Sequence, residues 1–197
     1  MRKPGIETFT GKRVLIKNTK PKSINIYDIA RGLAMTVRFN GQLDDFFCVG
    51  QHCINVKNML KSMGEPPPVQ MYGLLHDAPE FALGDLVRPV KIMLPSFKKL
   101  ETGVMKAVLK ALGLRKQLAL TKEQLKSVKF ADNYQVIIER LALKSAACKK
   151  NGWNDFGPQP RELGMDPKAK RKKLICMSWK TAEKKYLKEF KKLKAEL

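Results

Sequence analysis

Apolar residues recur at helical spacing along this chain, and nowhere do they alternate as they would on a half-buried strand. Ile29, Leu33 and Val37 share one side of a segment around Tyr27–Met35, with Gly32 as its weak point, and Asn40-Gly41 is a strong turn signal behind it. A second helix is expected from about Gly50 to Met63, stopped by Gly64 and the prolines at 66–68, and a third from Val69 to Ala78. Residues 84–91 read as turn-rich and basic, Leu94-Pro95 follows, and Phe97 to Leu112 reads as a helix ended by Gly113. Thr121, with Gln124 three residues on, opens a long helix to about Ala147. Near the end, Trp179, Ala182, Tyr186, Phe190, Leu193 and Leu197 form one stripe with lysines elsewhere. The class is all-α, without an internal repeat. Residues 1–23 read as a basic arm, extended or loosely docked, and 24–150 as the core. A polar loop with a lysine cluster follows at 151–173, then an amphipathic C-terminal helix at 174–197 packed on the core.

With 197 residues the chain is most simply one domain, long enough to bury a real core. Its charge is less ordinary: 39 Lys and Arg against 18 Asp and Glu give a net +21. Such a balance favours anionic partners, whether nucleotides, nucleic acid or an anionic membrane surface. The apolar stretches are too short to span a bilayer. Cys48, Cys53, Cys148 and Cys176 fit no CxxC spacing, and no signal peptide precedes them. The expectation is a cytoplasmic protein with reduced thiols.

Only two histidines occur, His52 and His76, and the second directly precedes Asp77. With Asp132 they make a mixed nitrogen and oxygen set suited to a divalent transition ion, with room for water. Asp132 has Val128, Ala131, Val136 and Ile137 around it, so its carboxylate needs a partner or a cation to offset desolvation. Glu80 stands one helical turn after His76 if that helix continues. Singly, each of these has a plainer reading as a packed histidine or a solvated acid.

In this order, with Asp77 and Glu80 in a His-Asp-x-x-Glu run, the residues resemble those of HD-domain metal phosphohydrolases. Arg38-Phe39, ahead of His52, is similar to the Arg-Trp pair of YfbR-type 5′-deoxynucleotidases and of DatZ-type dATP triphosphohydrolases of phages. Ile29-Ala30-Arg31 resembles the Leu-x-Arg segment before that pair. Gly84-Asp85 through Pro89 and Lys91 resembles a phage G-D-x-x-x-P-x-K run, and Lys129 precedes the last aspartate by three residues. The resemblance covers about residues 26–140. Phe39 replaces tryptophan, and Gln51 stands before His52 where the deoxynucleotidases have glutamate.

The resemblance implies an HD-domain helical bundle in which His52, His76, Asp77 and Asp132 hold one or more divalent cations. Co²⁺, Mn²⁺ and Zn²⁺ come first and Mg²⁺ is a further candidate. It makes Glu80 the general acid or base, and Arg38, Lys91 and Lys129 the phosphate contacts. Phe39 and Pro89 then border the sugar or base. It also implies a deoxynucleotide substrate and a homo-oligomer, in the host cytoplasm if the chain is phage-encoded. The cations Arg88, Lys91 and Lys129 place dATP triphosphohydrolysis ahead of 5′-deoxynucleotidase action on dNMPs. A nucleic-acid-binding protein with a vestigial HD core is the third reading. An alarmone hydrolase is disfavoured because Phe81, not a second acid, follows Glu80.

Overall fold

The computed structural model describes residues 4–145, 147–148, 160–164 and 174–197. The polar loop expected at 151–173 lies outside the described residues except for 160–164. Helices dominate: α1 (Ile26–Met35), α2 (Val49–Ser62), α3 (Pro67–Leu75), α4 (Glu80–Leu83), α5 (Arg88–Met93), α6 (Pro95–Ala111), α7 (Lys122–Leu143) and α8 (Trp179–Ala195). The sheet among the described residues is one antiparallel hairpin of β1 (Gly5–Glu7) and β2 (Arg13–Leu15). No described helix is long and apolar enough to cross a membrane.

Local signals set most boundaries. Thr121 accepts from the Gln124 amide while the Gln124 side chain accepts from the Thr121 amide, so the capping box forms and α7 starts where expected. Ser178 accepts from the Thr181 amide and starts α8 five residues later than the composition of 174–197 suggests. Arg88–Met93, expected as a turn, forms a short helix because Pro89 occupies its first turn, where a missing N–H leaves no bond unmade.

The core centres on α2, which packs against α1, α3, α7 and α8. Ile29, Leu33, Ile54, Leu74, Leu75 and Tyr186 are fully buried in one cluster. Val56, Leu60, Val69, Val128 and Ala131 close the seam between α2, α3 and α7. On α8 the stripe is buried at Ala182, Tyr186, Phe190 and Leu193, and the Tyr186 hydroxyl donates to the Leu74 carbonyl at 2.8 Å. The α8 acids turn inward: Glu183 accepts from Arg31 and Glu189 from Lys57.

Residues 1–23 are not a loosely docked arm over their described length. Val14 is fully buried, and the buried Asp28 carboxylate on α1 accepts from the Thr8 hydroxyl, the Thr10 amide and hydroxyl, and Asn25. Strands of three residues are too short for alternation to register, which is why the hairpin is invisible in the pattern.

Gly32 is a contact point, not a weak point. A Cβ built there would lie 2.8 Å from Phe81 Cβ and 2.9 Å from its Cα, so its absence lets α1 approach α4. That approach fixes the segment carrying Glu80. Gly32→Ala is therefore expected to destabilise the fold by about 1–3 kcal/mol, as overpacking does, despite the better helix propensity of alanine. Chemical denaturation checks this, and a more stable variant would show that α1 and α4 can separate freely.

Candidate metal centre

The three helices that meet at this seam deliver the histidines and aspartates to one place. His52 comes from the first turn of α2, His76 caps the C-terminus of α3, Asp77 follows it, and Asp132 lies midway along α7. His52 Nε2 is 3.3 Å from Asp132 Oδ1 and 3.7 Å from Asp77 Oδ2. His76 Nε2 is 3.2 Å from Asp77 Oδ2 and 3.9 Å from Asp132 Oδ1. The two rings are tilted, with centroids 5.3 Å apart.

Each imidazole is held from behind. His52 Nδ1 lies 2.6 Å from Glu139 Oε1, and His76 Nδ1 is 2.8 Å from the Gly73 carbonyl. A carbonyl only accepts, so the His76 proton sits on Nδ1 and leaves Nε2 free as a donor of electrons. Neither Nε2 has a hydrogen-bond partner, although both are buried. Two orphaned nitrogens facing two carboxylates is the arrangement that a divalent cation completes. His52, His76 and Asp132 present ligand atoms that all lie within 4.8 Å of one another, and the residues fit the ion.

Electrostatics agree with this fit. Burial favours the neutral acids, yet His76 beside Asp77 and His52 beside Asp132 hold both carboxyls below the usual range. Burial likewise opposes protonation of His76, but Asp77 raises it well above the ordinary imidazole value. Positive charge is thus favoured between these carboxylates, and a divalent cation held there would supply it.

Glu80, the first residue of α4, is buried at the edge of the cluster. Its Oε1 accepts from Lys91 Nζ at 3.0 Å, and its Oε2 has no partner. Burial, with Asp77 and Asp85 nearby, pushes this carboxyl well above the usual range. Arg38 is also buried: Nε donates to Glu139 Oε2 at 3.0 Å, and Nη1 is 3.8 Å from Asp77 and 3.7 Å from Asp85. Glu139 therefore bridges His52 and Arg38, although it was not singled out in the sequence. The available signal was its place seven residues after Asp132, two turns along the same face of α7.

A cavity of about 510 Å³ opens beside the cluster, lined by His76, Asp77, Glu80, Lys91, Lys129 and Asp132. Tyr72, Pro79, Leu125 and Val128 also line it, and α6 adds Lys98, Glu101, Thr102, Met105 and Lys106. Lys91 Nζ lies between Glu80 and Glu101 Oε1, the latter at 2.9 Å, and Lys129 Nζ donates to Asp132 Oδ2 at 2.7 Å. Arg38, Phe39, Arg88 and Pro89 do not line this cavity. Phe39 sits in a left-handed turn at φ 54°, its ring 5.5 Å from the Arg38 guanidinium and 5.3 Å from the Lys144 ammonium. Such a backbone is uncommon for a bulky residue and turns the ring onto these cations. Pro89 is fixed in the first turn of α5. The apolar lining falls instead to Tyr72, Met105, Leu125 and Val128. Gln51, which stands just before His52, accepts from the Met177 amide and donates to the Ile175 carbonyl, tying down the segment before α8.

No family model matches the sequence. Protein YfdR of Escherichia coli, described as uncharacterized, is 30% identical over 135 residues, covering 68% of this chain and 70% of YfdR. An uncharacterized protein of Rhodobacter capsulatus is 38% identical over 87 residues, and this match spans 44% of that protein's length. Among solved structures, the HD phosphohydrolase DatZ of cyanophage S-2L, bound to dA and one catalytic Zn²⁺ ion, superposes with a TM-score of 0.53. The match covers 86% of this chain and 98% of DatZ at 16% identity, a likeness of fold.

Proposed function

The chain belongs to the family of Escherichia coli YfdR and has the HD-domain fold, and from that premise we propose that it is a divalent-metal-dependent deoxynucleoside triphosphohydrolase. The proposed reaction converts dATP to deoxyadenosine and triphosphate. One observation carries the reading: two buried, unpartnered imidazole nitrogens face Asp77 and Asp132 beside a lysine-lined cavity. His52, His76, Asp77 and Asp132 would hold the cation, with Co²⁺, Mn²⁺ or Zn²⁺ preferred over Mg²⁺ because imidazole suits softer ions. Bound there, the ion supplies Lewis acidity, making water a better nucleophile and drawing charge from phosphorus.

The chain's own residues do the rest. Water oxygen bonds to the α-phosphorus, the bond from that phosphorus to O5′ breaks, and O5′ takes up a proton. Glu80, buried with Oε2 unpartnered, is assigned that proton transfer. Arg38, locked by Glu139, places a fixed positive charge at the edge of the cluster. Preference for adenine rests on the likeness to DatZ, which is bound to dA, with Tyr72, Met105, Leu125 and Val128 as the apolar part of the cavity wall against which a base would pack.

A second reading, 5′-deoxynucleotidase action on dNMPs, is favoured by one feature. Lys91 and Lys129 already have carboxylate partners inside the protein, which leaves less of their charge for a long phosphate chain. Product analysis with a panel of dNTPs and dNMPs under Co²⁺ or Mn²⁺ separates the two. Triphosphate release from dATP is expected; orthophosphate from dNMPs, with dNTPs inert, would establish the nucleotidase.

A further inference from the structure

We propose that Lys98 and Lys106, on the cavity side of α6, form a distal anion site for the phosphate groups of a polyphosphate beyond the one under attack. The inference rests on reading the cavity as a nucleotide phosphohydrolase site, and it assigns to α6 a task that the sequence motifs give to Lys91 and Lys129.

The first ground is counter-charge. Lys91 is clamped between Glu80 and Glu101, at 3.0 Å and 2.9 Å, and Lys129 is paired with Asp132 at 2.7 Å. Each of these ammoniums meets an anion that the protein itself provides. Lys98 and Lys106 line the same cavity, and among the described residues neither has a carboxylate within ion-pair distance. Their charge remains available to an incoming anion.

The second ground is placement. Lys98, Glu101, Thr102, Met105 and Lys106 are spaced i, i+3, i+4, i+7 and i+8, so one face of α6 forms this wall. Eight residues of helix separate the two lysines by about 12 Å along the axis. Thr102 lies between them and keeps its hydroxyl on the Lys98 carbonyl at 2.8 Å, and the carboxylate of Glu101, on the same wall, is matched by Lys91 at 2.9 Å. Two ammoniums at the ends of such a wall suit an anion with charge spread along its length. An isolated orthophosphate meets one of them at a time. Met105, between the same turns, adds an apolar surface and no competing charge.

The test is calorimetric titration of the chelator-treated full chain with orthophosphate, pyrophosphate and tripolyphosphate. Chelation keeps metal–polyphosphate complexes out of the measurement. The wild-type chain should bind tighter as the anion lengthens. Lys98→Gln with Lys106→Gln should lose about tenfold or more in tripolyphosphate affinity, the scale of losing one or two charge-assisted hydrogen bonds, while orthophosphate affinity changes little. The single variants should each lose part of this. Both side chains are exposed, so the melting temperature should stay near that of the wild type, and the single variants carry the test if the double variant does not fold. An unchanged tripolyphosphate affinity, or an equal loss for all three anions, would overturn the assignment. Failure of the hydrolase reading looks different: no nucleotide is turned over with any metal, while the length-dependent, lysine-dependent binding persists.

Discussion

Asp77→Ala is expected to remove metal binding and turnover together while leaving the helical fold in place. Asp77 Oδ2 lies 3.2 Å from His76 Nε2 and 3.7 Å from His52 Nε2, so with Asp132 it is one of two carboxylates that face both imidazoles. Without it the donor set falls to two nitrogens and one oxygen. Arg38 keeps its 3.0 Å partner Glu139, so no buried charge is stranded. Equilibrium dialysis with Mn²⁺ and circular dichroism check both halves of the expectation. Full turnover by this variant in the presence of chelator would show that the cluster is not a metal site.

Glu139→Gln is expected to weaken metal affinity by about 10–100-fold, the usual cost of losing an outer partner of a ligating histidine. The glutamate is fully buried, with one oxygen 2.6 Å from His52 Nδ1 and the other 3.0 Å from Arg38 Nε. As a carboxylate it accepts from both. A glutamine keeps one acceptor and turns an NH₂ toward the other donor. Glu139→Leu goes further and leaves the buried Arg38 guanidinium with only the 3.7–3.8 Å contacts to Asp77 and Asp85, which should cost about 3–5 kcal/mol of folding stability. Chelator competition reads the first effect and denaturant unfolding the second. Wild-type metal affinity in both variants would mean that His52 is oriented by packing alone.

The residues legible in the sequence were those whose chemistry is rare in the chain. With two histidines in 197 residues, His52 and His76 could hardly be missed, and His76-Asp77 supplied the first carboxylate. Asp132 followed from its apolar neighbours, and the structure brings it to 3.3 Å from His52. Helix positions followed from periodicity and caps, as at Thr121 and along the buried stripe of α8. What stayed hidden depends on side chains meeting across long separations. Glu139 is one of 18 acids, and its partners lie 87 and 101 residues away. Lys98 and Lys106 are two of 39 cations, and only the packing of α6 beside the cluster marks them out. Gly32 has no signature of its own, because its role is set by Phe81 on another helix. The placing of Phe39 and Pro89 on the base pocket came from motif position, which says nothing of the left-handed turn at 39–40 or of the helix start at 88–89.

Anomalous diffraction from a crystal of the chain grown with Mn²⁺ tests the central claim most directly. One strong peak is expected between His52 Nε2, His76 Nε2 and the carboxylates of Asp77 and Asp132, on the cavity side of the cluster. A peak elsewhere, or none at saturating Mn²⁺ with both imidazole nitrogens still unpartnered, would contradict it.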